Sequence, residues 1–109
     1  MKNFEIAEAL GLKVICPGEP REVADAYCGD LLSWVMGRIG YDAAWLTVMT
    51  NNNVAAVAVL RDAACVILCD GAEPDKELLS RAERENIALY GTEENSFTVA
   101  VKLAPFIGK

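Results

Sequence analysis

Four cysteines are the residues with the most distinctive chemical potential, because a thiolate can act as a nucleophile, a redox partner or a metal ligand. Cys65 and Cys69 are four residues apart in an apolar run of strand length. They should therefore point to one face of the sheet, about 13 Å apart, and cannot bind one ion together. Cys16 and Cys28 each end a predicted strand, and we expect that these two could approach each other. Reduced, buried, structural thiols are the favoured interpretation, and a redox role for Cys16 and Cys28 is one alternative hypothesis.

Other catalytic equipment is sparse in this sequence. The chain has no histidine, so serine–histidine and cysteine–histidine nucleophile systems are excluded. The glycine-rich phosphate loop and the dinucleotide-binding fingerprint are both missing. We therefore predict no catalytic residue, no metal site and no cofactor, and expect that the protein is not an enzyme.

Composition narrows the range of partners. The formal net charge is −6 and the pI is near 4.5, a balance that repels both nucleic acid and anionic lipid. The longest apolar run, residues 54–60, is far too short to span a bilayer, and no signal-peptide pattern begins the chain. The prediction is a cytoplasmic protein that binds neither membranes nor nucleic acid.

The elements that must position any site alternate between strands and helices. Apolar runs bounded by turns predict strands at 12–16, 23–28, 44–49, 65–69 and 88–91. Helical spacing predicts helices at 4–10, 31–39, 54–60, a stretch opened by Asp75, and 97–103, with Asp30 as the cap of the second. This alternation predicts an α/β fold, a three-layer α/β/α arrangement with a mainly parallel (possibly mixed) sheet of about five strands. Residues 1–109 are expected to form a single domain.

Small polar residues follow the predicted strands, where helix N-termini converge in a parallel sheet. They offer hydroxyl, amide and bare backbone N–H groups, which suit a phosphate or a carboxylate. Arg21 is the best candidate cation for such an anion in the first half of the chain. The predicted ligand-binding residues are Arg21, Gly29, Asp30, Thr50, Asn51, Asn52, Asp70, Gly71 and Thr92.

Taken together, several segments of the chain resemble the DRTGG domain. The segments are Leu10-Gly11-Leu12, Gly18-Glu19-Pro20-Arg21-Glu22-Val23, Tyr27-Cys28-Gly29-Asp30-Leu31-Leu32-Ser33, Leu46-Thr47-Val48, Asn53-Val54-Ala55-Ala56-Val57-Ala58-Val59-Leu60 and Asp70-Gly71-Ala72-Glu73-Pro74-Asp75. One departure from the family pattern is Asp70-Gly71, where members of the family often have two glycines.

The resemblance implies a fold related to the N-terminal domain of HPr kinase/phosphorylase and a regulatory or accessory role. It also implies an association with enzymes, because such domains are fused to CBS domains in some pyrophosphatases and to phosphate acetyltransferases. Homodimers are common among such modules. The chain has no kinase domain, so a kinase activity does not follow from the resemblance.

Two hypotheses stand ahead of the redox one. The first is a non-catalytic regulatory module that binds a small anionic ligand, such as an adenine nucleotide, at the strand ends, in the service of a partner enzyme. The alternative is a protein-interaction or dimerisation module without a small-molecule ligand. The second draws on the high apolar content, 53%, and on aromatic and apolar residues that could lie exposed: Trp34, Met36, Tyr41 and Trp45.

Overall fold

The computed structural model describes residues 1–109 and has five helices and five strands. The strands are β1 (Lys13–Cys16), β2 (Asp25–Cys28), β3 (Ala43–Thr47), β4 (Cys65–Leu68) and β5 (Leu89–Gly91). The helices are α1 (Asn3–Leu10), α2 (Leu32–Arg38), α3 (Asn52–Leu60), α4 (Lys76–Arg84) and α5 (Ser96–Leu103), followed by a short 3₁₀ helix, Ala104–Ile107. Each predicted element is present, with ends that differ by a few residues.

All five strands form one mixed sheet in the order β1-β5-β4-β3-β2. The four strands β2 to β5 are parallel, and β1 alone runs antiparallel, against β5. Every residue of β3 and β4 is buried, because helices cover both faces of these central strands. The predicted mainly parallel sheet of about five strands is confirmed.

Two apolar layers enclose this sheet and make the α/β/α arrangement. On one face, helices α2, α3 and α4 pack over Trp45, Val66 and Leu89. On the other face, α1 and α5 pack over Cys65 and Tyr90, among others. The predicted three layers are therefore confirmed. No helix of the structure is both long enough and apolar enough to span a membrane.

The connection between β1 and β2 crosses the whole width of the sheet, because these consecutive strands lie at its opposite edges. Residues 17–24, the crossing segment, pass the amino ends of the three strands in between. Its backbone bonds to the residues before two of these strands: the Glu19 amide donates to the carbonyl of Asn86, before β5, and the Ala24 amide donates to that of Asp42, before β3. In between, the Arg21 guanidinium pairs with Asp62 as well as Asp42.

Three local predictions differ from the structure. Asp30 is not the cap of α2; Leu31 holds that position, and the Asp30 side chain bonds to β3 instead. Cys16 and Cys28 cannot approach each other, because β1 and β2 are separated by three strands, which corresponds to about 19 Å. Trp45 is fully buried and donates a hydrogen bond to the Gly29 carbonyl, so it is no surface residue.

Two helices, α3 and α4, begin with a capping side chain on the same side of the sheet. The Asn51 side chain accepts a hydrogen bond from the Asn53 amide at the start of α3. The Asp75 carboxylate accepts one from the Leu78 amide at the start of α4. Short polar side chains occupy these positions because they satisfy amides that have no partner within the helix.

Candidate functional site

The predicted ligand residues divide between the two ends of the parallel strands. Arg21 lies at the amino ends, where it pairs with Asp42 at 2.6 Å and with Asp62 at 3.6 Å. The other predicted residues follow the carboxyl ends of β2, β3, β4 and β5. The structure therefore does not bring Arg21 to the others, and we call the two ends of the sheet the amino edge and the carboxyl edge.

A cavity of about 410 Å³ opens at the carboxyl edge, beside β1, β4 and β5. Two of the predicted residues, Gly71 and Thr92, line it. The rest of its wall is Gly11, Lys13, Ile15, Ala72, Glu73, Gly91 and Glu93. Its volume falls within the usual range for small-molecule sites, roughly 300–1,000 Å³.

Glycines let the backbone form part of this cavity wall. Gly71 has a φ of +71°, a conformation that side chains disfavour, and a Cβ on it would lie 2.5 Å from a Glu93 carboxylate oxygen. Gly91 is buried against Ile15, 3.1 Å from where its own Cβ would be. The loop after β4 and the loop after β5 are joined by a hydrogen bond from the Gly71 amide to the Thr92 carbonyl. Two loops that are bonded to each other therefore form one side of the cavity.

The charges around the cavity are mixed. Lys13, which pairs with Gly91 across the β1–β5 ladder, is its one cation. Glu73 and Glu93 are its carboxylates, and both are exposed. An ammonium can bind a phosphate, whereas carboxylates accept hydrogen bonds from hydroxyl or amino groups. The lining therefore suits a ligand that has both an anionic part and hydrogen-bond donors.

Gly29 and Asp30 line a different groove of about 310 Å³, between β2 and α2. Here the Asp30 carboxylate has a structural task. Its Oδ1 accepts hydrogen bonds from the buried Thr47 hydroxyl at 2.8 Å and from the Val48 amide at 2.9 Å. Asp30 thus fastens the loop after β2 to the end of β3.

The other four predicted residues lie in the loops after β3 and β4 and at the first position of α3. Asn51 caps α3, and the Thr50 carbonyl accepts from the Asp75 amide, which joins the loop after β3 to the loop before α4. Asn52 lines a shallow groove of about 250 Å³ with residues of α4, and its buried Oδ1 has no hydrogen-bond partner. Asp70 is exposed, with a φ of +58°. The carboxyl edge therefore holds several separate surfaces instead of a single pocket.

The thiols are poorly placed for nucleophilic chemistry. Complete burial raises the pKa of Cys65 to about 12, and burial raises that of Cys69 to about 11. Burial also raises the pKa of Cys16. Cys28 is exposed, yet partial desolvation and the nearby Asp30 carboxylate raise its pKa as well. All four thiols therefore stay protonated near neutral pH, which counts against the redox hypothesis.

Sequence reasoning missed Gly11, Lys13 and Glu93 as part of the site. Gly11 and Lys13 reach the cavity because β1 is antiparallel to β5, so that the amino end of β1 meets the carboxyl end of β5. A rule based on the carboxyl ends of parallel strands does not include an antiparallel edge strand. The same rule could have predicted Glu93, since this residue directly follows Thr92.

The fold and the site together define a three-layer α/β/α domain with an open cavity at the carboxyl edge of a mixed sheet. The family model of the DRTGG domain matches residues 5–106. The chain therefore belongs to the DRTGG domain family. No curated protein matches the sequence.

One solved structure with the same fold is the CBS and DRTGG domains of the regulatory region of Clostridium perfringens pyrophosphatase, complexed with its activator, diadenosine tetraphosphate. The TM-score is 0.72 at 16% sequence identity, and the match covers 93% of the present chain. The same match covers only 45% of the pyrophosphatase chain, so this chain spans less than half of that relative. At this identity the likeness establishes the fold.

Proposed function

We propose that this chain is a non-catalytic regulatory module that binds a small anionic ligand, such as an adenine nucleotide, at the carboxyl edge. The observation that carries the proposal is the cavity of about 410 Å³ walled by Gly71, Gly91 and Thr92, with Lys13 at its margin. Membership of the DRTGG family supports the regulatory role. The activator held by the pyrophosphatase regulatory region supports a nucleotide as the ligand class.

The lining residues suggest which part of a nucleotide each of them would bind. The Lys13 ammonium would bind the phosphate end, because it is the cation of the cavity. The carboxylates of Glu73 and Glu93 would accept hydrogen bonds from ribose hydroxyls or the adenine amino group. Since two carboxylates face one ammonium, we expect a triphosphate to bind more tightly with Mg²⁺, which offsets part of its charge.

A regulatory module needs a target for its signal. We propose a partner enzyme as that target, as the pyrophosphatase regulatory region has its own enzyme. The cytoplasm is the proposed location, because free nucleotides are found there and the four cysteines are unpaired thiols. No residue is assigned a catalytic role.

Isothermal titration calorimetry with AMP, ATP, MgATP and diadenosine tetraphosphate tests the proposal. The Lys13→Glu variant should lower the affinity at least tenfold, because it removes the cation of the cavity. Lys109→Glu is the matched control: this exposed lysine pairs with Asp25 at the amino edge, away from the cavity, and its loss should leave the affinity unchanged. Absence of heat and of thermal stabilisation with all four nucleotides would overturn the proposal.

Self-association is a second candidate function, favoured by one observation. Two apolar side chains on α2 and just before it are largely in solvent: Leu31 is 61% exposed and Trp34 is 54% exposed. Tyr41 is also exposed, as the sequence suggested. Leu31 and Trp34 line the same groove beside β2, and an interaction surface is the proposed explanation for this pair.

A further inference from the structure

We infer that the outer face of α2 is the surface through which two copies of this chain associate, in an antiparallel, two-fold arrangement. The inference rests on the second of the two proposed functions, self-association, and names its surface. Leu31 and Trp34 form the apolar centre of this face, and the α2–β2 groove of about 310 Å³ lies beside them. The exposed Gly37 adds no side chain that would hold a second helix away.

Charge is the reason to choose a second copy as the partner. Asp30 lies just before α2, and Arg38 is its last residue, so opposite charges stand at the two ends of the apolar face. A two-fold axis across the helix places each Asp30 opposite the Arg38 of the other copy. The charges of the face then match those of a second copy, whereas a partner whose surface is uniformly acidic or basic would match only one end.

Both charged groups are available for these pairs. Arg38 forms none of the ion pairs within the chain, and its guanidinium stacks on the Trp34 ring at 3.9 Å. The bonds that Asp30 makes to Thr47 and Val48 use Oδ1, which leaves Oδ2 for another donor. Arg38 therefore lies against the centre of the apolar face, with donors still free to reach across to a second copy.

The size of the face sets the strength to be expected. The exposed parts of Leu31, Trp34 and Arg38 amount to roughly 300 Å² per copy, since a whole aromatic side chain covers about 150–250 Å². A stable interface takes about 800 Å² per partner. Since the face is much smaller than that, we expect a weak, reversible dimer and not a permanent one.

Sedimentation equilibrium over a range of concentrations, without nucleotide, tests this surface. The Trp34→Glu variant should weaken association at least tenfold. Phe97→Glu is the control: Phe97 is 75% exposed on α5, on the opposite side of the sheet, and its replacement should leave the dimer intact. Thermal denaturation of each variant checks that the fold is kept.

A charge exchange tests the antiparallel pairing itself. The Arg38→Glu and Asp30→Lys variants should each be monomeric, because each places like charges opposite one another in a two-fold dimer. Mixed in equal amounts, they should form a heterodimer, since Asp30 then meets Arg38 and the new glutamate meets the new lysine. Recovery of dimer only in the mixture supports the inference, and no recovery overturns the pairing.

The two proposals fail in different ways. A wild-type chain that is monomeric up to millimolar concentration would overturn self-association and this surface together. A dimer that persists in Trp34→Glu, or that is broken by Phe97→Glu, would overturn the α2 surface while self-association stands. The result does not depend on nucleotide binding, which is measured separately.

Discussion

The amino edge and the carboxyl edge of the same sheet are built differently. At the amino edge, the crossing segment runs past the ends of three strands and is held by backbone hydrogen bonds and by the Arg21 side chain, which pairs with Asp42 and Asp62. Asn3 is fully buried there and donates to the carbonyls of Glu19 and Ala64. At the carboxyl edge, the loops are joined by backbone hydrogen bonds and by the Asp30 side chain, and a cavity of about 410 Å³ and two grooves lie between the side chains. The amino edge has one smaller groove, of about 150 Å³.

A small domain can in this way separate the residues that stabilise it from those that bind. Buried hydrogen bonds and close packing cost the most when they are disturbed, and the amino edge concentrates them. Exposed side chains over an intact backbone can be changed at little cost, and the carboxyl edge has many of these. Substitutions at the two edges should therefore have unequal effects on stability, and the following experiments test that contrast.

The largest effect is expected at Gly18 of the crossing segment. This residue has a φ of +61°, and a Cβ on it would overlap the backbone of Ala88. Gly18→Ala should reduce the free energy of unfolding by about 4 kcal/mol or more, or prevent folding, because two backbones must move apart. Gly11, at the carboxyl edge, is the control: its φ is +66°, but nothing lies within 4 Å of its Cβ position. Gly11→Ala should cost only about 1 kcal/mol, measured by urea denaturation.

Equal losses in the two glycine variants would contradict the contrast, since they would show that the positive φ alone sets the cost. A small loss at Gly18 would mean that the crossing segment moves away from Ala88 without difficulty.

Asn3 should have the next largest effect. Its side-chain amide donates two hydrogen bonds, and its oxygen accepts from the Phe4 and Arg21 amides. Asn3→Ala should destabilise the chain by about 3 kcal/mol, because at least one of the groups left behind, the Ala64 carbonyl, is buried. Asn53→Ala, at an exposed asparagine on α3, serves as the control and should change stability by less than about 0.5 kcal/mol. Comparable thermal denaturation of the two variants would argue against Asn3 as a structural tie.

Replacement of Asp30, which accepts two hydrogen bonds at the carboxyl edge, should destabilise the chain less than replacement of Asn3. Asp30→Ala removes the acceptor of the buried Thr47 hydroxyl and should cost about 1 kcal/mol, because Asp30 itself is exposed. Asp30→Asn retains an oxygen at the same place and should cost less than half as much. A loss at Asp30 as large as that at Asn3, in the same denaturation experiment, would remove the distinction between the edges.

Thiol labelling tests the same contrast through reactivity and should distinguish the exposed cysteine from the buried ones. Exposed Cys28, at the carboxyl edge, should react with iodoacetamide in the native protein, whereas fully buried Cys65 should react only after unfolding. Since the thiolate is the reactive form and the Cys28 pKa is raised, its rate should keep rising as the pH increases above 8. Asp30→Asn should speed the reaction at pH 8, because it removes one cause of that raised pKa. Mass spectrometry identifies the labelled residue, and rapid labelling of Cys65 would contradict its burial.

Much of the fold could be predicted because its signals are local. The apolar runs at β3 and β4 are continuous since both faces of these strands are buried, and the caps Asn51 and Asp75 act within three residues. Trp45 shows the limit of such reasoning. It was one of the residues that the self-association hypothesis left open as exposed, but it is buried and its indole donates to the Gly29 carbonyl, sixteen residues away.

The candidate site was predictable in part, for the same reason. The carboxyl-edge rule led to Gly71 and Thr92, which line the cavity. It could not assign Arg21, whose partners lie 21 and 41 residues further along the chain. Lys13 was equally beyond reach, because its place in the cavity depends on β1 running antiparallel to β5.

The amino-acid sequence was sufficient to predict the three layers, the alternation of elements and the polar character of the carboxyl edge. These follow from periodicity and capping, which act over a few residues. The tertiary structure alone decided the strand order, and with it the distance between Cys16 and Cys28, the task of the crossing segment and the lining of the cavity. Each of these depends on residues far apart in the chain, whose meeting is set by the packing of the whole sheet and is not encoded in any one segment.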